Sequence, residues 1–126
     1  FAEYLETAND HVAVLVQAEH IEAVENIDSI VRVEGIDGIM LGPYDLSASL
    51  GKMGQLDDPA VVDAIERIFQ ACQSTGMPIG YFGVSADAVR PYLQKGYNLI
   101  LAGVDTMHLG NAAQNLMNEL KLSPND

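Results

Sequence analysis

Four short runs of apolar residues recur along the chain, each separated from the next by a stretch with helical periodicity. The runs fall at residues 12–17 (Val12-Ala13-Val14-Leu15-Val16-Gln17), 36–42 (Ile36-Asp37-Gly38-Ile39-Met40-Leu41-Gly42), 78–82 (Pro78-Ile79-Gly80-Tyr81-Phe82) and 98–103 (Asn98-Leu99-Ile100-Leu101-Ala102-Gly103). Runs of this length that are continuous rather than alternating are expected of parallel strands covered on both faces. Between them the helices carry their own punctuation. Asp58-Pro59 supplies an N-cap and a first-turn proline, Val62, Ile65, Phe69 and Cys72 share one face, and Gly76 closes the segment. Ser85 caps a second helix running through Val89 and Leu93 to Gly96, and Asp105 caps a third that carries Leu109, Leu116 and Leu120. Asn26 is expected to cap a helix from Ile27 to Val33, stopped by Gly35, and Phe1 to Thr7 reads as the tail of a helix.

The result is four βα units of roughly thirty residues each, the size expected of such a unit. Four parallel strands could form a small open sheet, or half of a (β/α)8 barrel, which takes eight units and typically about 250 residues. The 126 residues read as a single unit with no internal linker, and their opening without a Met makes a missing upstream part the expectation.

Charge narrows the partners. A formal charge of −12, with six Lys and Arg in all, would repel a phosphate backbone, so nucleic acid is not an expected partner. The longest apolar runs are too short to span a membrane. The one cysteine, Cys72, lies on an apolar helix face, which points to a buried thiol in a reducing compartment, the cytoplasm.

In either architecture ligands bind where strands end at their carboxyl side. The polar residues there are Gln17, Glu19 and His20 after the first run, and Tyr44, Asp45 and Ser47 after the second. Two carboxylates on neighbouring strand tips, Glu19 and Asp45, can share one hard cation, which takes oxygen ligands. The alternative is that Glu19 faces solvent and Asp45 caps a short helix from Leu46 to Leu50. A Schiff-base lysine is not expected, because Lys52, Lys95 and Lys121 fall in loops or at helix ends. His11 precedes its strand, His20 is expected at a helix start, and His108 in the first turns of the last helix; none is placed as a catalytic group.

These segments together resemble the HpcH/HpaI aldolase family. The resemblance is carried by Val16-Gln17-Ala18-Glu19, Asn26-Ile27-Asp28-Ser29-Ile30, Gly35-Ile36-Asp37-Gly38 and Leu41-Gly42-Pro43-Tyr44-Asp45-Leu46-Ser47-Ala48-Ser49-Leu50-Gly51, with Gly54 and Pro59 following. Gly76-x-Pro78-x-Gly80 and Gly103-Val104-Asp105 fit the later strands, so it runs over essentially the whole chain. It implies the C-terminal half of a (β/α)8 TIM barrel and a metal-dependent pyruvate aldolase, such as the 2,4-dihydroxyhept-2-enedioate and 2-dehydro-3-deoxyglucarate aldolases. By this resemblance Glu19 and Asp45 would ligate a divalent metal cation (Mg²⁺, Mn²⁺ or Co²⁺). Gln17 would contact substrate or a metal-bound water, and backbone at Gly42, Pro43 and Tyr44 would hold the carboxylate of pyruvate or a related 2-oxo acid.

The family's catalytic histidine and substrate-binding arginine belong to earlier strands. None of His11, His20, His108, Arg32, Arg67 or Arg90 stands at a matching position, so no catalytic acid–base residue is assigned in this chain. The expected reaction is retro-aldol cleavage of a 4-hydroxy-2-oxo acid. A citrate-lyase-β-like acyl-CoA lyase and a non-catalytic truncated barrel are the alternatives, along with a plain α/β binding domain. Open sheet edges make association the expectation, either as a homo-oligomer or with the missing N-terminal half.

Overall fold

The computed structural model describes residues 2–121. It begins with a helix α1 (Ala2–His11); Phe1, expected in that helix, lies outside the described residues. The strands follow as β1 (Leu15–Ala18), β2 (Gly38–Leu41), β3 (Ile79–Gly83) and β4 (Leu99–Ala102). Between and after them run α2 (Ile21–Glu25), α3 (Ile27–Ile30), α4 (Pro43–Ser49), α5 (Pro59–Thr75), α6 (Ala86–Lys95) and α7 (Asp105–Lys121). All pairings are parallel and the spatial order is β1-β2-β3-β4.

That order decides between the two architectures. A doubly wound sheet reverses its strand order at a switch point and places helices on both faces. Here the order follows the chain without reversal, and the face away from the helices is left bare along β1 and β4. Val16, Ala18, Ile39, Leu41, Ile79 and Tyr81 point to the helices and are buried or nearly so, whereas Leu15, Leu99 and Leu101 on the opposite face are 48%, 38% and 44% exposed. The expectation that every strand is covered on both faces therefore fails for β1 and β4 among the described residues. The four βα units form one parallel sheet with a bare face, as expected of a barrel segment rather than of a doubly wound sheet.

The covered side owes its cohesion to α5. Its N-cap Asp58 accepts from the Ala60 amide at 3.0 Å, Pro59 opens the first turn, and Gly76 ends it in the left-handed region at φ 72°. It buries Val61, Ala64, Ile65, Ile68, Phe69, Ala71 and Cys72. Full burial of a side chain such as Ile68 contributes roughly 1.5–3 kcal/mol. Val62, expected on that face, is 48% exposed; the inward valine is its neighbour Val61. Against α5 sits an aromatic cluster in which Phe69 stacks on Tyr97 at 5.1 Å and Tyr92 meets Tyr97 edge-on at 5.2 Å.

Several expected element ends move. β1 starts at Leu15, leaving Val12 and Val14 exposed, although the backbones of Val14 and Asp37 still pair at 2.9 Å. The helix expected from Ile27 to Val33 is shorter, and Asn26 caps it with no side-chain bond; its amide instead donates to the Glu22 carbonyl. Ser85 does cap α6, accepting from the Ala88 amide, but Leu93 on that helix is exposed. Asp105 is the first residue of α7 rather than its cap. None of the residues of α7 is buried, and Leu109, Leu116 and Leu120 on it are 73%, 57% and 64% exposed. No helix of the described residues is long and apolar enough to cross a membrane.

Candidate metal and substrate site

The carboxyl ends of β1 and β2 carry the residues singled out by sequence. Gln17 lies on the bare face of β1, paired with Met40 of β2, and Glu19 is the first residue beyond β1. The Gln17 amide Nε2 donates to Glu19 Oε2 at 3.0 Å. The two tips are tied by backbone as well, since the Gly42 N–H donates to the Ala18 carbonyl at 3.2 Å. Glu19 lies directly over Gly42: a Cβ at that position would be 2.9 Å from Oε2.

Gly42 is the N-cap of α4, Pro43 its first residue, and Asp45 falls in its first turn. The reading of Asp45 as the cap of a helix from Leu46 to Leu50 is thus corrected. The Gly-Pro pair starts the helix earlier, because proline's fixed φ and missing N–H suit the first helical position. An acidic group in the first turn also sits favourably against the helix dipole.

Gln17, Gly42, Pro43, Tyr44 and Asp45 line one concavity of about 260 Å³, floored by Met40, Leu41 and Phe82. Glu19 is not among the lining residues but touches two of them, Gln17 and Gly42. The structure therefore brings the six sequence-identified residues to one end of the sheet. No basic side chain lines the concavity.

The donor set available there is two carboxylates and an amide, all oxygen. Among the described residues no cluster of three or more His, Cys, Asp or Glu could hold a metal. A thiolate or imidazole zinc cage is therefore not what these residues offer. One or two carboxylates with the remaining positions left to water and substrate is the usual arrangement for Mg²⁺, and the residues fit that need. Gln17 uses one Glu19 oxygen, while an ionised carboxylate has roughly four lone-pair sites, so coordination capacity remains.

The other candidates fall elsewhere. His20 is exposed and its Nδ1 accepts from the Glu22 amide at 3.3 Å, capping α2. His11 ends α1 at the opposite end of β1, with Nδ1 2.8 Å from the Thr7 carbonyl. His108 Nε2 lies 3.0 Å from the Ala102 carbonyl at the tip of β4 and does not line the concavity. Lys52 pairs with Asp58 at 3.0 Å, Lys95 pairs with Glu66, and Lys121 ends α7, so no lysine stands at a strand tip.

Sequence reasoning assigned no role to four contributors. Met40 and Phe82 face the same side as Gln17, which the alternation of strand positions could have shown. Ser47, completely buried, donates to the Tyr44 carbonyl at 2.6 Å and accepts from the Gly54 amide at 2.9 Å, holding the loop after α4. Ser49 accepts from the Ile21 amide at 3.0 Å and donates to the Leu46 carbonyl at 2.8 Å.

The fold is shared with known proteins. The chain is 38% identical over 124 residues to a hydroxypyruvate/pyruvate aldolase of Cupriavidus necator, covering 98% of this chain and 46% of that protein. It is 39% identical over 121 residues to a 5-keto-4-deoxy-D-glucarate aldolase of Escherichia coli, covering 95% and 47%. The crystal structure of an HpcH/HpaI aldolase/citrate lyase family protein from Burkholderia cenocepacia superposes with a TM-score of 0.86 at 36% identity, covering 94% of this chain and 46% of that one. The chain spans about half the length of the relatives it matches. Its four βα units correspond to half of the TIM barrel those aldolases form. The family model for HpcH/HpaI aldolase/citrate lyase matches residues 2–112, and the chain belongs to that family.

Proposed function

We propose that this chain supplies the metal-holding part of an aldolase site that cleaves a 4-hydroxy-2-oxo acid to pyruvate and an aldehyde. The observation that carries the reading is that Gln17, Gly42 and Asp45 line one strand-tip concavity and that Glu19 is held against the first two of them. The names of its relatives, among them a hydroxypyruvate/pyruvate aldolase, support the substrate class.

Glu19 and Asp45 would hold a divalent cation, which when bound supplies Lewis acidity toward an oxygen-rich substrate. Gln17 orients the Glu19 carboxylate through its amide N–H. The backbone at Gly42, Pro43 and Tyr44 forms the wall that would receive the carboxylate of a 2-oxo acid. Met40 and Phe82 form an apolar floor that limits water around it. The acid–base histidine and the substrate arginine are proposed to come from barrel strands outside this chain.

The bare sheet face bearing Leu15, Leu99 and Leu101, together with the free edges of β1 and β4, is proposed to be covered by those strands. Association with further copies is proposed on the same ground. An acyl-CoA lyase would need cationic contacts for a CoA phosphate, and the concavity has no basic lining residue to offer.

The test is Mn²⁺ titration of this chain, together with pyruvate release after the remaining barrel strands are supplied. Asp45→Ala and Glu19→Gln are each expected to abolish Mn²⁺ binding at the wild-type site and reduce pyruvate release to background. Unchanged Mn²⁺ affinity in both variants would refute the site.

A further inference from the structure

One hydroxyl connects the backbones beside both candidate ligands. Ser49 Oγ accepts from the N–H of Ile21, two residues beyond Glu19, and donates to the carbonyl of Leu46, the residue after Asp45. Glu19 and Asp45 belong to different elements. The Gly42 N–H on the Ala18 carbonyl and the packing of Glu19 on Gly42 also tie the end of β1 to the head of α4. Both sit on the strand side of the site, whereas Ser49 braces the side of α2.

We propose that Ser49 is a positioning residue that sets the relative placement of the Glu19 and Asp45 carboxylates by locking the start of α2 to α4. The inference rests on the reading that those two carboxylates hold a dication. Ser49 itself touches no ligand. Its hydroxyl is used in both directions, as acceptor from Ile21 and donor to Leu46, so no methyl or methylene group replaces it. Ile21 is the first residue of α2, and its N–H is one of the helix-start donors that have no partner within the helix. Groups that orient metal ligands typically change metal affinity by about 10–100-fold when removed, because ligand geometry is what they determine.

The experiment uses the full chain, with Mn²⁺ as the probe. Ser49→Ala is expected to weaken Mn²⁺ binding about tenfold, while Ser49→Thr, which keeps the hydroxyl, stays within about twofold of wild type. The Mn²⁺ electron paramagnetic resonance spectrum is expected to broaden in Ser49→Ala and to match wild type in Ser49→Thr. A purely structural serine would lower the melting temperature of the metal-free protein and leave the bound-metal spectrum unchanged.

Amide exchange in the wild-type protein gives a reading that needs no variant to fold. Protection of the Ile21 N–H is expected to rise when Mn²⁺ is added, since one ion bridging both carboxylates stiffens the element between them. Wild-type Mn²⁺ binding that requires Asp45, with Ser49→Ala indistinguishable from wild type or Ile21 protection insensitive to Mn²⁺, would overturn the role of Ser49 alone. Loss of any Asp45-dependent Mn²⁺ binding in the wild type would instead remove the metal reading beneath it.

Discussion

Glu19 lies against Gly42 so closely that a Cβ at position 42 would stand 2.9 Å from the carboxylate Oε2 and 3.0 Å from the Cβ of Glu19. The first contact is with the end of a flexible side chain and could be relieved by rotation. The second is with an atom fixed to the backbone and could not. Glycine at the head of α4 is therefore what lets the tip of β1 fold its acid down beside the first turn that carries Asp45.

Gly42→Ala is accordingly expected to weaken divalent-metal binding about tenfold by displacing a ligand. The fold should be retained, because Gly42 has φ −100°, a value alanine adopts without strain. Mn²⁺ titration of the variant checks this, and wild-type affinity would show that Glu19 is free to move without consequence.

The strand tips were legible in the sequence because the apolar runs end in Gln17 and Gly42 and polar residues follow directly. What was not legible has specific causes. Val61 and Val62 are adjacent and chemically identical, so periodicity alone picks the wrong one of the two for the buried face of α5, although Ile65, Phe69 and Cys72 are buried as expected. The helix α2 is five residues long, too short to show a periodicity, although His20, expected at a helix start, does cap it. The apolar stripe of α7 was visible as a pattern, but nothing in a single chain says what it packs against. Ser49 was hidden for another reason: a serine that joins two elements looks, in sequence, like any serine near a helix end.

The phase of α5 can be checked by stability. Ile68 is fully buried, so Ile68→Ala removes packed methyl groups and should cost about 2–5 kcal/mol. Val62→Ala, at a position 48% exposed, should stay within about 0.5 kcal/mol of wild type. Denaturant midpoints distinguish them, and a large loss at Val62 would mean that α5 presents the other face to the sheet.

Tyr97 offers a test of the opposite sign. Its ring is 1% exposed and packed on Phe69 and Tyr92, yet its Oη has no hydrogen-bond partner. Burial pushes its phenol well above the ordinary value, so the group stays neutral and the desolvated hydroxyl brings only cost. An unpaired buried polar group costs about 1–3 kcal/mol. Tyr97→Phe keeps both ring contacts and is expected to raise stability by about 1 kcal/mol, read from the thermal midpoint with the heat of unfolding. A clear loss of stability would mean that the hydroxyl has a partner after all.

Acid should weaken the helical layer in a direction set by its ion pairs. Hydrogen bonds from Arg67 and Lys52 hold Asp28 and Asp58 below the ordinary 3.8. Lys95, followed by Gln70, holds Glu66 below 4.5. A carboxyl whose folded pKa is depressed stabilises the fold above its unfolded value, and that contribution is lost as pH falls through the folded one. Stability should therefore be level near neutrality and decline below about pH 4 as these groups take up protons. Lys95→Met isolates one of them, because methionine preserves the packing of the side chain over the Phe69 ring while removing the charge. At pH 7 its effect should be within about 1 kcal/mol, since the pair is about two-fifths exposed on both sides and solvent screens it. The acid transition should nonetheless begin at a higher pH, because Glu66 returns toward 4.5. Circular dichroism against pH reads that displacement directly; coincident curves for variant and wild type would show that the bond between Lys95 and Glu66 does not form in solution.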